Sequence, residues 1–410
     1  MLLELSIPFA PELDQESLLE AIPSQPAVFA LHLRAVEGVT APPYLGRTQD
    51  LRRRLARLLG PSRSLSRWLN LRELTQRIEY QSVGSQLEAL WLLYLLNRAH
   101  YPRHYRQRLR LKAPAVLKVN LRNRFPRCYP THRLANDGSL YYGPFPSRPA
   151  AERFASDFLD LFKMRRCVED LNPDPAHPGC IYSQMHMCLA PCFQGCTDEE
   201  YQQEVGRVVA FLDADGQPLV RALEADRARA SEALEFEEAA RLHRRIEKVN
   251  EVLRERPGLV RNLHELNAVL IERGAAPKSV VFFRLAAGTL RGPVTLSLDE
   301  NVAAPLPLDQ QLHALLGPLA EPVGASVSRR TAPLPLAQPV GARLAAPSPS
   351  WEHLSLLSRW YYSSFRTGEI LMLPPSGEIP HARLIRLCRK MLGSSSGNAD
   401  TLPQGRGTQT

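Results

Sequence analysis

Tyr141-Tyr-Gly-Pro-Phe-Pro-Ser147, followed by Arg166-Cys167, Gly179-Cys180 and Cys188-Leu-Ala-Pro-Cys192, is the stretch on which the reading of this chain turns. Five of the seven cysteines (Cys167, Cys180, Cys188, Cys192 and Cys196) fall within thirty residues. The chain begins Met-Leu-Leu-Glu-Leu, with no basic n-region, apolar h-region or small-residue cleavage site, so a reducing, cytoplasmic setting is expected. Clustered thiols in such a compartment point to a metal rather than to disulfides. Zinc knuckles pair their cysteines closely, whereas the first four here are separated by twelve, seven and three residues. That irregular all-thiolate set suits an iron–sulfur cluster at least as well as zinc. Buried thiols, or a structural zinc site with His177 or His186 as a substitute ligand, are the other readings.

Working outward, 410 residues suffice for roughly two to four domains. A formal net charge of +9 favours a polyanionic partner, and the charge is uneven. From Leu51 to Asn136 nineteen Lys or Arg stand against only Glu73, Glu79 and Glu88, more than solubility requires. No run of eighteen apolar residues occurs, so no transmembrane helix is expected.

Before the cysteines, Pro26-Ala-Val-Phe-Ala-Leu-His-Leu33 and Pro43-Tyr-Leu-Gly46 alternate as two short strands, and Asp50 to Leu59 follows as a basic amphipathic helix. Ala115 to Leu121 reads as a strand, and Asn136-Asp-Gly-Ser139 as a turn into Leu140-Tyr-Tyr-Gly143. Pro149 to Leu161 predicts a helix with Ala151, Phe154, Phe158 and Leu161 on one face, and a metal site would staple its end, near Cys167, to the Cys180–Cys192 loop. Thr197-Asp-Glu-Glu200 is a capping box opening a helix that ends at Asp213-Ala-Asp-Gly216. A second helix is expected from Gln217, and a third from Phe236 to Leu253 with Phe236, Ala239, Leu242, Ile246, Val249 and Leu253 as a single seam.

The Tyr141–Ser147 run and the cysteine spacing resemble the middle of the UvrC family, components of the bacterial excinuclease. That resemblance implies a [4Fe-4S] cluster on Cys167, Cys180, Cys188 and Cys192, with Cys196 outside the pattern and zinc as the alternative metal. Leu234-Glu-Phe-Glu-Glu-Ala-Ala-Arg-Leu-His-Arg-Arg-Ile246 resembles the UVR motif, and implies contact with UvrB through Phe236, Ala239, Ala240 and Ile246. An ordinary intramolecular hairpin is the competing reading, since apolar helical seams are usually core.

Ala27-Val-Phe29 and Tyr44-Leu-Gly46 resemble the two motifs of the GIY-YIG nuclease domain that opens UvrC. In that family a tyrosine, a basic residue and an arginine work with one carboxylate-bound divalent ion on a phosphodiester, which implies these roles for Tyr44, Arg47 and Arg54. Arg47 replaces a lysine, and Phe29 replaces the first tyrosine. The family's carboxylate is the second Glu of Glu-Ala-Leu-Leu-Leu-Glu, whereas this chain has Glu88-Ala-Leu-Trp-Leu-Leu93. Leu93 therefore stands at the metal-ligand position, and His104-Tyr105 stands where a Tyr-Asn pair belongs. Five residues along a helix rotate by about 140°, so Glu88 points to another face. A hard divalent cation such as magnesium is poorly held without a carboxylate, and is relevant only if the site is active.

The module is expected to bind double-stranded DNA without cutting it. Arg52, Arg53, Arg98, Arg103 and Arg106, with Arg108, Arg110 and Lys112 beyond, supply charge, and His100, Tyr101, His104 and Tyr105 supply flat rings. A solvated helix end is the plain alternative. The rival enzyme reading keeps Tyr44, Arg47 and Arg54 and draws the ligand from Glu73, Glu79 or Glu88. In it the chain makes a single incision near damage.

Asn267 to Ile271, Ser279 to Leu285 and Val294 to Leu298 predict a small meander sheet, and residues 301–350, with nine prolines, an irregular connection with a helix at Gln310 to Leu316. Trp360-Tyr-Tyr and Glu369 to Pro375 resemble the entry to the ribonuclease-H-like nuclease of UvrC. After Phe365 only Glu369, Glu378 and Asp400 are acidic, so that nuclease and the helix-hairpin-helix domains are not expected. The expected organisation is α+β and multi-domain: a degenerate nuclease-like module (1–116), a cysteine-rich domain (117–196), a helical region (197–256, UVR motif about 224–256), a remnant of UvrC homology (257–393) and a disordered tail (394–410). The function expected is excision-repair DNA binding with UvrB as partner and no membrane. A metal-stabilised regulatory module outside repair is the alternative from another class.

Overall fold

The structure, a computed structural model, describes residues 3–12, 20–35, 41–60, 71–297, 310, 312, 349–374 and 376–393. The expected tail from 394 and most of the proline-rich connection lie outside these residues; Gln310 and Leu312 are helical. Three four-stranded antiparallel sheets, each faced by helices, make the chain α+β as expected.

The first sheet holds β1 (Leu5–Pro8), β2 (Ala27–Leu33), β3 (Tyr44–Thr48) and β4 (Thr75–Ser82) in the order β1-β4-β2-β3, with α1 (Leu51–Leu59) and α2 (Gln86–His100) on opposite faces. Strand alternation accounts for both cores. Ala27, Phe29 and Leu31 meet Leu51, Leu55 and Leu58 of α1, while Val28 and Ala30 meet Ala89, Leu92 and Leu96 of α2. Asp50 and Ser85 cap the two helices by accepting from Arg53 N and Glu88 N. Helix α2 is apolar almost all round because it is buried twice: Leu87, Trp91 and Tyr94 leave the first sheet and pack on the third. The chain backbones touch there as well, since a Cβ on Gly84 would lie 2.1 Å from the carbonyl carbon of Gly274. The N-terminal module is thus joined to the C-terminal region through one continuous core.

A short helix α3 (Tyr105–Arg108) leads into the second sheet, β6-β5-β7-β8, formed by β5 (Ala115–Val119), β6 (Cys128–Thr131), β7 (Leu140–Phe145) and, much later, β8 (Arg261–Asn262). Every residue of β7 is buried. Helix α4 (Arg148–Leu159) covers one face with Ala151, Phe154 and Phe158, as its periodicity predicts. After the thiol loop and α5 (Ile181–Gln184), α6 (Asp198–Asp213) starts in the expected capping box, Thr197 and Glu200 exchanging both bonds. The Phe158 and Phe211 rings stack at 6.0 Å and tie α6 to α4, each buried ring contributing roughly 1.5–3 kcal/mol. Helices α7 (Gln217–Glu232) and α8 (Phe236–Glu255) form the hairpin.

The third sheet runs β11-β10-β9-β12, from β9 (Ala268–Arg273), β10 (Ser279–Ala286), β11 (Thr289–Ser297) and β12 (Glu369–Met372). Its first three strands are the predicted meander, and the Glu369 segment pairs back onto β9. Helix α9 (Trp351–Tyr361) covers one face with Leu354, Leu357 and Trp360, and α10 (His381–Gly393) the other with Leu384, Cys388 and Met391. No helix among the described residues is long and apolar enough to cross a membrane.

Candidate functional site

The three residues assigned to phosphodiester chemistry divide between two faces of the first sheet. Tyr44 lies on the α1 side, where Arg54 Nη2 donates to its hydroxyl at 3.1 Å. Phe29 lies beside it, ring centroids 6.2 Å apart, and sits so close over Gly46 that a Cβ there would come within 2.6 Å of the ring. Arg47, an odd step along β3, is exposed on the α2 side. There it lines a cleft of about 570 Å³ with Thr48, Gln49, Ser85, Gln86 and Thr367.

Leu93 also faces the α2 side of the sheet, half-buried against the Val28, Ala30, Leu45 and Leu92 cluster beside Tyr101, whose hydroxyl donates to Pro43 O at 2.7 Å. An apolar side chain within an apolar patch thus stands where the resemblance implies a metal ligand. Two of the three candidate substitutes are engaged elsewhere. Glu79 pairs with His32 at 3.0 Å and Arg77 at 3.1 Å. Glu88 is buried and accepts from Gly84 N at 2.9 Å. Glu73 is exposed.

Of the arginines expected to meet DNA, Arg52 donates to Ile22 O and Glu20 O, and Arg98 to the Tyr94 hydroxyl, leaving their charges unmatched by carboxylate. Arg53 and Arg103 are exposed. Arg106 differs: its Nε lies 2.7 Å from Glu352, and its guanidinium covers the Trp351 and Tyr105 rings, so it ties α3 to α9. Arg108 lies 3.7 Å over the Tyr101 ring and donates to Asn97.

The four thiols at the expected spacing share one neighbourhood. Burial pushes the Cys188 thiol up to about 11, with Cys167, Cys180 and Cys192 adding like-charge pressure. Cys192 is raised by burial and then by Cys180 and Cys167. Cys196 is raised by burial, then by Glu200 and Asp198, and least by Cys192 of this group. Among the described residues no three His, Cys, Asp or Glu side chains converge closely enough to hold one metal ion, and His177 and His186 are exposed.

One residue beside the thiols escaped the sequence reading. Arg165 is 1% exposed, and its guanidinium donates to Phe125 O, Glu169 O and the Cys167 sulfur, the last at 3.4 Å. A buried arginine with no carboxylate at its guanidinium is costly unless other negative charge is near. The signal available was the Arg165-Arg166 pair directly before Cys167.

At the hairpin tip, Phe236 is 67% and Leu234 70% exposed, and Ala240 is exposed as well. Ala239 is half-buried, and Ile246 is buried in the chain's own core with Leu242, Val249 and Val252. Of the residues expected to face a partner, Ile246 instead seals the hairpin, because α8 turns that stripe toward α4 and α7.

The chain thus combines a basic N-terminal module, a thiol-rich middle domain and a helical hairpin with an apolar tip. Residues 115–211, from β5 into α6 and including all five clustered cysteines, match the family model described as UvrC/Cho excinuclease, middle domain. The chain is similar to curated proteins named UvrABC system protein C. It is 30% identical to that of Oleidesulfovibrio alaskensis over 269 residues, 65% of this chain and 38% of that protein. It is 27% identical to that of Syntrophomonas wolfei over 292 residues (70% and 47%), and 31% identical to that of Carboxydothermus hydrogenoformans over 211 residues (51% and 34%). The expected relationship to UvrC is borne out over this span. The chain spans less than half the length of these relatives. No solved structure matches it.

Proposed function

We propose that this chain is a UvrC-like DNA-binding factor of nucleotide excision repair that is recruited by UvrB and does not itself incise DNA. The observation that carries the second half is Leu93 packed in an apolar patch, with Glu79 paired to His32 and Arg77 and Glu88 bound at Gly84. Of the three candidate carboxylates only Glu73, exposed in the turn before β4, is uncommitted, so no buried carboxylate is left to fix a divalent ion for Tyr44 and Arg54 on one face or Arg47 on the other. Exposed arginines on α1, α2 and the following connection supply phosphate-neutralising charge.

Cys167, Cys180, Cys188 and Cys192 would hold a [4Fe-4S] cluster, which would cross-link the end of α4 to the loop before α6. A single zinc ion on the same four thiolates is the alternative. The buried Arg165 charge and the Ala190 N–H, 3.3 Å from Cys188 Sγ, suit an anionic cluster.

The exposed tip of Leu234 and Phe236 is the surface offered to UvrB, with Ala239 and Ala240 beside it. Pull-down of purified UvrB by the full chain tests the recruitment. Association lost in Phe236→Asp is expected; no association by the unmodified chain overturns it.

A further inference from the structure

We propose that Arg110, Lys112, His132 and Arg359 form a phosphate-binding cleft, separate from the nuclease-like face, that seats the backbone of a DNA strand. This deepens the DNA-binding reading above and rests on it. The four side chains come from the connection after α3, the segment just past β6, and α9. They surround a cleft of about 350 Å³ whose walls also carry Ser147 and Tyr362, and no Asp or Glu lines it.

Two of the four side chains are positioned by backbone carbonyls instead of carboxylates. Arg359 donates to Leu109 O at 3.1 Å and Arg110 O at 2.9 Å, and His132 Nδ1 lies 2.9 Å from Ala113 O. Each contact orients a side chain and leaves the site's positive charge unneutralised. Like charges gathered this way repel, an arrangement that an anion entering the cleft relieves. Arg110 adds local strain, with φ at 49° in the left-handed region that side chains rarely adopt, and Arg359 holds its carbonyl there. Ser147 is the N-cap of the twelve-residue α4, so the positive end of that helix opens on the same space. Burial, and then the charge of Arg47, lowers the Arg359 pKa, so the cleft also lies within electrostatic reach of the nuclease-like module. A polyanion passing that module can engage both, which favours a DNA strand over a free phosphate ion.

The test is fluorescence anisotropy of a labelled undamaged duplex with the full chain across a salt series. It compares the unmodified chain with Arg110→Gln/Lys112→Gln and with Arg221→Gln/Arg245→Gln, which removes equal charge from the helical hairpin. In the cleft variant the dissociation constant should rise on the order of tenfold, and the slope of log affinity against log salt should shrink by about 1 to 2; the hairpin variant should change less than about twofold. Unchanged affinity and slope in the cleft variant, or equal losses in both variants, overturn the cleft while leaving DNA binding intact. A thermal shift by inorganic phosphate that the cleft variant loses, with duplex affinity unchanged, assigns the site to the free ion and overturns the strand. Failure of the unmodified chain to bind duplex overturns the cleft together with the DNA-binding reading.

Discussion

Arg165 sets its guanidinium 3.4 Å from the sulfur of Cys167 while its other donors hold Phe125 O and Glu169 O. A cation buried without a carboxylate partner needs negative charge nearby, and the proposed thiolate-bound cluster would provide it. Anaerobic purification should therefore yield iron and sulfide in near-equal amounts, about four of each per chain, both lost in Cys188→Ser. Arg165→Gln should retain the cluster's visible absorbance yet lower its reduction potential, since the nearby positive charge is removed. Stoichiometric zinc in place of iron would overturn the assignment.

Glu88 and Glu272 are both buried where α2 meets the third sheet, and burial raises each from its ordinary 4.5 to about 7; Glu272 also feels the charge of Glu88. Trp360 Nε1 donates to Glu272 at 2.5 Å, and Thr367 donates at 3.3 Å. Glu4 adds to the pressure on Glu88, while Arg366 partly relieves Glu272. Carboxylates whose folded pKa is raised hold protons more tightly when folded. Their stabilising contribution is fully present below pH 4.5 and is lost as pH rises to about 7. Denaturant midpoints measured from pH 5 to 8 should fall across this window from these two groups. Glu272→Gln should flatten that fall and be the more stable protein at pH 8.

The hairpin separates partner contact from stability. Ile246→Ala removes a buried side chain and should cost about 2–5 kcal/mol in equilibrium unfolding. Phe236→Asp alters an exposed position and should change stability by less than about 0.5 kcal/mol while abolishing UvrB association. Equal destabilisation by both would place Phe236 in the fold instead of at an interface.

Local chemistry carried much of the fold into the sequence. The Thr197–Glu200 capping box, the Phe154–Phe158 stripe and the Gln217 helix start all lie where their patterns place them. Strand β4 did not announce itself, because Thr-Gln-Arg-Ile-Glu-Tyr-Gln-Ser is mostly polar and takes its place through pairing with β1 and β2 on either side. The double burial of α2 was equally hidden: its apolar surface all round signals two partners without saying that the second is a sheet almost two hundred residues away. At the candidate site the cysteine group was legible from spacing. The division of Tyr44 and Arg54 from Arg47 follows from strand alternation and was available in principle. The commitment of Arg106 to Glu352 was not, since it depends on how α9 docks.

The central claim is that this chain engages DNA without cutting it, because Leu93 fills the place of the metal-binding carboxylate. The most direct measurement is incubation of a damaged, end-labelled duplex with UvrB, the full unmodified chain, and magnesium or manganese, followed by denaturing electrophoresis. The labelled strand should remain intact, and Leu93→Glu should recover weak metal-dependent cutting if the apolar patch tolerates it. Incision by the unmodified chain that requires the metal and disappears in Tyr44→Phe or Arg54→Ala would contradict the account.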